Sequence, residues 1–566
     1  MTGASTGPNL IPSVIPGSMD GRFDHSAYPL CHPDEEALFQ AQSEKAGYLQ
    51  HLSDIWERMK GLKLEEEEIL REVTRCDEIL APVRRVPDDI LREIFKRTLP
   101  SPQWLVTIRS TQSPTVLTQV CRRWRAVAIH YADLWKHLRI RKSMMKTASG
   151  VPRLLEIARR SKTDPFHLQV EWPKNPNMPA STWVTLMAPI SRSLTSLSLH
   201  GVHQSRIAEL PSNLFPCLQR LSISQLRGWV EIEGMPPTLE AFKDCPSLRR
   251  VALDEWFIDI DDIKLLLPWN QLTHFLQCDE SHNFTFIEKY LASCTELRYL
   301  GLTLDDPDFN PMFAAQWDGR PAVHLPNFEG LFLKFGCTLD GYIHYPEFLD
   351  ILDFPNLKYL RLEGDDMDTS REAGVPVWEG EDVARLAARL DDFPHLVHLA
   401  FSWDTIDYPT LATLLSSATG LETLDIRLGD SGRAFFNALR IVRSDNDEPW
   451  LLPQLRKLIL RPMAYKKRYR RWITHDIHEE SFERFVDARK KSSKNALKEV
   501  LIYSVAGLRG LIRLSTSFEG LPLLKECVDG GLELRVEEYA HGVSVTSAWM
   551  DDDPCLCDWP ELQANF

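Results

Sequence analysis

The sequence predicts an α + α/β fold in which a long N-terminal helix and a small helical domain precede an irregular α/β solenoid. Three observations predict it. Apolar residues recur with a seven-residue period through residues 35–80, two short amphipathic helices are indicated within 83–140, and the pattern L-x-x-L-x-L returns repeatedly after residue 190. The first two patterns are typical of helices, and the third is typical of short strands in a repeat array.

Composition and charge limit the class of protein. Of the 566 residues, 43% are hydrophobic and 26% are charged, which is typical of soluble globular proteins. No apolar run approaches the ~18 residues that span a bilayer, so we expect no membrane segment. The net charge of −15 argues against nucleic acid or an anionic membrane as the main partner.

Cysteine usage and the N-terminus indicate a location inside the cell. The eleven cysteines are scattered, without a C-x-x-C pair, which suits a reducing compartment. The first residues lack the basic start and the unbroken apolar run of a secretory signal. We therefore expect a cytoplasmic and/or nuclear protein.

The N-terminal region is expected to begin with a disordered leader at 1–33, which is rich in Pro, Gly and Ser, and to continue as a long helix over 34–82. Its heptad positions a and d are occupied by Leu38, Lys45, Leu52, Met59, Glu66, Val73 and Leu80 and by Ala41, Tyr48, Ile55, Leu62, Ile69 and Cys76. Lys45 and Glu66 are weak residues in such a seam. A coiled coil that self-associates through residues 35–80 and a helix that packs on its own chain both remain open.

Two short helices are predicted between residues 83 and 140. Pro87 needs no N–H in a first helical turn, and Asp88 and Asp89 place negative charge at the positive helix start. Ser113 is a candidate N-cap for the second helix. Apolar residues follow one stripe on each helix: Ile90, Leu91, Ile94 and Phe95, then Leu117, Val120, Cys121, Trp124, Val127, Ala128 and Tyr131. We expect the two helices to pack on each other.

These residues resemble the F-box, in the F-box-like form common in fungal proteins. The matching segments are V-P-D-D-I-L-R-E-I-F, L-x-x-V-C-x-x-W-R-x-x-A and D-L-W. The resemblance implies that residues 83–140 dock the Skp-type adaptor of a cullin-RING ubiquitin ligase of the SCF type, without catalysis. The adaptor-binding residues it implies are Pro87, Ile90, Leu91, Ile94, Phe95, Leu117, Val120, Trp124 and Trp135. The alternative is a helical hairpin that packs only against its own chain.

The remaining chain is divided by its repeat pattern. Residues 141–190 are expected to hold linker strands and a helix, 191–540 a solenoid, and 541–566 an acidic tail. The units begin at Leu194, Leu218, Leu248, Leu297, Phe328, Leu357, Leu396, Leu421, Leu455 and Leu497, with a broken copy at Leu272. Several intervals contain a helical stretch such as VARLAARL or LATLLSSAT. Helices and strands in this order bury their apolar sides only against neighbouring units.

The array resembles the irregular leucine-rich repeats found behind many F-boxes, and we expect it to bind a protein target whose identity the sequence leaves unknown. In each unit the residues at i+3 and i+5 point inward, so those at i+4 and i+6 should line the concave face. Aromatic and Arg side chains dominate binding energy at protein interfaces. The expected target-binding residues are Phe332, Arg361, Arg427, Arg461 and Tyr503.

No motif for catalysis, cofactor binding or metal binding is evident in the sequence. A phosphate-binding Gly-rich loop, a G-x-S-x-G elbow and an H-E-x-x-H pair are all missing. The pairs His475/His478 and Cys555/Cys557 lack further ligands nearby in sequence. We expect a protein that is not an enzyme and needs no cofactor.

Three functions are compatible with these features. The first is a substrate-recognition adaptor of an SCF-type ubiquitin ligase. The second is a non-catalytic repeat scaffold that acts outside ubiquitin transfer. The third is a nucleic-acid-associated factor that uses the basic stretch YKKRYRRW at 465–472, with RKKSSK at 489–494. More often such basic runs form a charged surface or pair with carboxylates.

Overall fold

A long helix, a helical hairpin and a parallel β-sheet follow one another along the chain in the computed structural model. The structure describes residues 35–99, 106–107, 114–140, 156, 160, 166–172, 183–184, 187–224, 238–254, 264–278, 290–304, 322–335, 349–364, 380–402, 408–428, 432–440, 451–462, 464–467, 471–474, 479–491, 497–505 and 522–539. The leader, the acidic tail, Ser113, both His475/His478 and Cys555/Cys557, and most of the predicted linker helix lie outside the described residues. The chain divides into two units, Met1–Pro87 and Asp88–Phe566.

The described part of the first unit is one continuous helix, α1 (Glu35–Leu80), followed by a 3₁₀ turn at Pro82–Arg85. The predicted helix over this region is confirmed. Its 46 residues make it about 70 Å long at 1.5 Å per residue. The chain leaves the α-helix just before Pro82, which cannot donate a backbone hydrogen bond within a helix.

The second unit begins with the hairpin, formed by α2 (Asp88–Arg97), α3 (Leu117–Val120), α4 (Arg122–His130) and a 3₁₀ turn at Ala132–Trp135. The prediction of one continuous second helix after Ser113 is wrong, because the helix is interrupted at Cys121. That residue is extended (φ −157°, ψ 172°), and its Sγ accepts a hydrogen bond from the Trp124 backbone N–H at 3.4 Å. Cys121 therefore acts as the N-cap of α4 rather than as part of an apolar stripe.

The strands of the described chain and its remaining helices occupy the rest of this unit. The strands are β1 (Val106–Thr107), β2 (His137–Ile140), β3 (Phe166–Glu171), β4 (Leu194–His200), β5 (Arg220–Ser224), β6 (Thr238–Leu239), β7 (Arg250–Asp254), β8 (Lys264–Leu265), β9 (His274–Cys278), β10 (Tyr299–Leu304), β11 (Val323–His324), β12 (Gly330–Phe335), β13 (Leu352–Asp353), β14 (Tyr359–Gly364), β15 (His398–Ser402), β16 (Thr423–Leu428), β17 (Lys457–Pro462), β18 (Ala464–Lys467), β19 (Arg471–Thr474), β20 (Glu499–Val505) and β21 (Glu533–Tyr539). The helices are α5 (Gln204–Ala208), α6 (Gly380–Asp391), α7 (Tyr408–Ser417), α8 (Gly432–Leu439), α9 (Glu479–Lys491) and α10 (Pro522–Asp529).

Fifteen of the described strands form one parallel sheet in the order β1-β2-β3-β4-β5-β7-β9-β10-β12-β14-β15-β16-β17-β20-β21. Each predicted L-x-x-L-x-L unit supplies one of these strands, including the broken copy, which forms β9. The sheet starts at β1 to β3, upstream of residue 191. The predicted α/β solenoid is confirmed, and its sheet also takes in strands from the two segments before it.

Two rows of buried side chains run through the sheet in unbroken register. The first contains Leu138, Leu168, Leu197, Leu221, Val251, Phe275, Leu300, Leu331, Leu360, Leu399, Leu424, Leu458 and Val500. The second lies two residues further along each strand and includes Leu302, Leu333 and Leu362. The prediction that the residues at i+3 and i+5 of each unit point inward is thus confirmed. Each unit buries its apolar side against its two neighbours.

A hydrogen-bonded turn precedes most strands of the array. In it, a buried residue accepts a hydrogen bond from the backbone N–H three residues later, as between Leu325 and Phe328 at 3.2 Å. The second position is often proline, as at Pro326 and Pro355, whose fixed φ suits a turn. Aromatic residues of successive turns also touch, with ring centroids of Phe354 5.1 Å from Phe393. This Φ-P-x-Φ turn (Φ apolar) is therefore part of the repeat.

Candidate interaction surfaces

The hairpin has a core of its own. Leu91 and Phe95 of α2 are fully buried, and the Phe95 ring lies 4.9 Å from the ring of Trp124 on α4. The Trp135 indole N–H donates to the carbonyl of Ala128 at 2.8 Å. These contacts fix α2 against α4 and place the opposite side of α2 at the surface.

Electrostatic contacts support the same packing. The Arg123 guanidinium on α4 lies 2.6 Å from the Asp88 carboxylate at the start of α2. A hydrogen bond from Lys136 lowers the pKa of the Asp133 carboxyl, and burial raises the pKa of Tyr131. The Arg123–Asp88 pair therefore links the starts of α2 and α4, and the contacts of Asp133 stabilise the turn after α4.

Two apolar pairs of the hairpin are exposed. Ile90 and Ile94 on α2 expose 49% and 40% of their surface, and they lie one helical turn apart. Val116, just before α3, exposes 37% of its surface, and Val120, at the end of α3, exposes 54%. Four exposed aliphatic side chains on a hairpin with its own core are available to a partner.

The nine predicted adaptor-binding residues therefore divide into two groups. Leu91, Phe95, Leu117 and Trp135 are buried, and Trp124 is half-buried against Phe95, so these residues form the hairpin core. Pro87, Ile90, Ile94 and Val120 are exposed. Val116 was missed by the sequence analysis, although its spacing of four residues from Val120 could have indicated it.

Two of the predicted target-binding residues are less exposed than expected. Phe332 and Arg361 are neighbours on β12 and β14, but they expose only 0% and 3% of their surface. The Arg361 guanidinium lies 3.8 Å from the Asp425 carboxylate and 5.8 Å from the centre of the Phe332 ring. The expectation that these two side chains are open to a target is corrected, because the i+4 row is buried here. The side chains of Arg427, Arg461 and Tyr503 lie outside the described residues.

The residues at position i+2 of each unit lie on the same side of the sheet as those at i+4, and several of them are aromatic. The rings of His274 and Tyr299 stack 4.7 Å apart, and Tyr359 lies 6.4 Å from Tyr299. Gly330 on β12 pairs with Tyr299 on one side and with Tyr359 on the other. Because glycine has no side chain, the two tyrosine rings can approach each other. Burial, reinforced by nearby arginines including Arg250, lowers the pKa of His274 to about 3. Burial raises the pKa of Tyr299 to about 12.

A polar groove of about 450 Å³ lies where β10, β12 and β14 begin. Arg298 and Lys358 both reach Glu329 in it, with Arg298 Nε 2.9 Å from the carboxylate. Burial of Glu329 opposes its ionisation, but the hydrogen bonds and positive charges of Arg298 and Lys358 together outweigh burial and lower the pKa of the carboxyl. The charges of the groove are thus largely paired with one another.

The structure describes part of each basic segment, residues 465–467 and 471–472 of the first and 489–491 of the second. Residues 464–474 contain an antiparallel pair, β18 and β19, in which Lys466 lies opposite Trp472. In the second segment, Arg489 is 1% exposed and donates hydrogen bonds to the carbonyls of Leu439 and Leu452 at 3.0 and 2.8 Å. Lys490 donates to the Cys527 carbonyl at 2.6 Å. At least these two basic residues therefore serve the fold.

The described residues contain neither a cluster of metal ligands nor a membrane-spanning helix. Among the described residues, no three His, Cys, Asp or Glu side chains lie close enough together to hold a metal ion. Within the same part of the chain, no helix is both long enough and apolar enough to cross a bilayer.

Comparison with known proteins adds two solved structures. No protein-family model matches the chain, and no curated protein matches it in sequence. The leucine-rich repeat-containing protein LegL7 from Legionella pneumophila is 13% identical over 73% of this chain and 87% of its own, with a TM-score of 0.22. The complex of Rad7 and Elc1 in yeast includes a chain that is 13% identical over 82% of this chain and 96% of its own, with a TM-score of 0.30. At these values the comparisons assign neither an activity nor a partner to this chain.

Proposed function

We propose that this chain is a substrate-recognition adaptor of an SCF-type ubiquitin ligase, in which the F-box-like hairpin docks the Skp-type adaptor and the solenoid holds a protein target. The chain itself is not an enzyme. It acts by proximity, because holding a target near a ubiquitin-loaded subunit raises the effective concentration of the reacting groups. The observation that carries the proposal is the exposed pair Ile90 and Ile94 on a hairpin whose other large apolar residues are mostly buried.

The division of the hairpin into core and surface decides which residues test the proposal. Complete burial of an Ile side chain is worth roughly 1.5–3 kcal/mol, so a pair that is already half-exposed can contribute a few kcal/mol to docking. Leu91 and Phe95 cannot serve in such a test, since a charge there disrupts the hairpin itself.

The experiment is a pull-down of the full chain with a purified Skp-type adaptor. The variant Ile90→Asp/Ile94→Asp should lose at least tenfold in affinity, because each substitution places a carboxylate in an apolar contact. The matched control is Ala292→Asp/Ala434→Asp, which adds two carboxylates at exposed repeat positions and should bind normally. Normal binding by a folded Ile90→Asp/Ile94→Asp protein would refute the proposal.

A second experiment separates an adaptor for degradation from a scaffold. The chain is purified from cells with and without proteasome inhibition, and its associated proteins are probed for ubiquitin. Only an adaptor for degradation accumulates ubiquitinated partners when the proteasome is blocked.

The contribution of Arg427, Arg461 and Tyr503 to target binding stays a prediction.

A further inference from the structure

We propose that α1 binds α1 of a second copy of this chain in an antiparallel pair. The helix carries an apolar stripe along its whole length, and the stripe is exposed. Tyr48, Met59, Leu62 and Ile69 each expose between 57% and 69% of their surface. They occupy a and d positions of one continuous heptad pattern, which is the stripe that a second helix covers in a coiled coil.

The two charged residues of the seam decide the direction of the pair. Lys45 and Glu66 both occupy position a, in a helix that has apolar residues at most other a and d positions. In a parallel, in-register pair each a residue faces its own copy, so Lys45 would face Lys45 and Glu66 would face Glu66. Like charges would then meet at two layers, which disfavours the parallel arrangement.

An antiparallel pair removes this conflict at the register of greatest overlap. Nearly full end-to-end overlap sets every a position against a d position of the second copy: Leu38 against Cys76, Lys45 against Ile69, Leu52 against Leu62, Met59 against Ile55, Glu66 against Tyr48 and Val73 against Ala41. Lys45 then lies one layer from Glu66 of the second copy, which is three residues or about 4.5 Å along the axis. Because the pair has two-fold symmetry, this contact between Lys45 and Glu66 occurs twice.

The flank of the stripe fits the same arrangement. Trp56, at position e beside the seam, exposes 68% of its surface. In the antiparallel register it lies beside Trp56 of the second copy, near the two-fold axis, whereas a parallel pair would place it against His51. Aromatic residues contribute strongly when they are buried in an interface. The two chains then continue beyond Leu80 at opposite ends of the pair, about 70 Å apart.

Charge reversal tests both the pairing and its direction. The dimer dissociation constant of the full chain is measured by sedimentation equilibrium for the wild type, Lys45→Glu, Glu66→Lys and the double variant. Each single reversal should weaken the dimer about tenfold, because it creates two like-charge contacts, and the double reversal should restore the wild-type value. A parallel pair would instead show no loss in the single variants, since like charges already face each other.

Cross-linking gives an independent readout. In the variant Leu38→Cys, a short bismaleimide should join the introduced thiol of one chain to Cys76 of the other, and peptide mass spectrometry identifies the linked positions. Leu38 is 45% exposed and Cys76 is exposed, so the substitution leaves the helix intact. Three results would overturn the proposal: a monomeric chain at tens of micromolar, a Cys76–Cys76 link in the wild type, or single charge reversals without effect.

Discussion

Two arginines at the ends of repeat helices, Arg489 buried and Arg389 partly exposed, link neighbouring units. Arg489 on α9 donates to the carbonyls of Leu439 and Leu452, and Arg389 on α6 donates to those of Leu349 and Leu352 at 3.0 and 2.8 Å. Burial lowers the pKa of Arg489 to about 10, which leaves it charged at neutral pH. A guanidinium has several donors in one plane, so a single side chain can satisfy carbonyls that would otherwise be buried without partners.

The buried His274 should make stability depend on pH. Its pKa is about 3 in the folded chain, against an ordinary value of 6.5, because burial disfavours the charged ring. A group with a lowered folded pKa binds its proton in the unfolded state first, so the stability is complete above pH 6.5 and falls progressively as the pH drops towards 3. We expect a loss of about 2 kcal/mol at pH 5 from this residue.

Urea denaturation at pH 7 and pH 5 measures this loss. The variant His274→Gln has no ring to titrate, so the difference between its unfolding free energies at the two pH values should be about 2 kcal/mol smaller than in the wild type. Ser293→Gln, at an exposed position without a titratable group, is the control and should show the pH dependence of the wild type. Equal pH dependence in His274→Gln and the wild type would contradict the prediction.

For single residues, the sequence predicts the side of the sheet on which a side chain lies, but not how exposed the side chain is. Strand alternation correctly places Phe332 and Arg361 opposite the leucine rows. Their burial depends on neighbours such as Asp425, which lies two strands further along the sheet from Arg361. A pattern within one repeat contains no information about such contacts between repeats.

At the scale of elements, α9 holds α10 at both of its ends. Glu483 on α9 accepts hydrogen bonds from the backbone N–H groups of Leu523 and Leu524 at 2.8 and 3.2 Å. Lys490, two turns later, donates to the Cys527 carbonyl. A helix of eight residues is marginal alone, so these side chains satisfy terminal groups that α10 cannot pair internally.

Loss of Glu483 should therefore loosen the last repeat. Glu483→Ala leaves two backbone N–H groups without their acceptor, and we expect a cost of about 1–3 kcal/mol. Hydrogen exchange of the α10 amides should accelerate accordingly, while exchange in α6 stays unchanged. Glu480→Ala, which removes an exposed carboxylate one turn earlier, is the control. Unchanged exchange of α10 in Glu483→Ala would show that the contacts contribute little.

The elements themselves are largely predictable from sequence. The recurring L-x-x-L-x-L pattern identified each repeat strand, and the predicted helical stretches VARLAARL and LATLLSSAT lie in α6 and α7. The break at Cys121 was missed, because the apolar spacing continues across it. The Φ-P-x-Φ turn was present in the sequence but unrecognised, since leucine spacing alone defined the repeat. A sequence pattern thus gives the type of an element better than its ends.

For the whole solenoid, register is the property that matters most. The row containing Leu300, Leu331 and Leu360 passes through every described strand of the main sheet from β2 to β20, and the register shift between β3 and β4 lies at Phe166 and His167, just before the row. Each unit nevertheless buries its leucines only against the unit before and the unit after. In such an array stability is approximately a sum of unit and nearest-neighbour terms.

A cavity at the centre of the array should therefore act locally. Leu331 is fully buried, so Leu331→Ala should cost about 2–5 kcal/mol through lost burial and the cavity it leaves. Hydrogen exchange should accelerate in β12 and in its neighbours β10 and β14, because these units share the lost contacts. Exchange in β4 and β21 should match that of the control Lys243→Ala, an exposed substitution. Equal acceleration in all strands would show instead that the sheet unfolds as one cooperative unit, so nearest-neighbour coupling would not describe this solenoid.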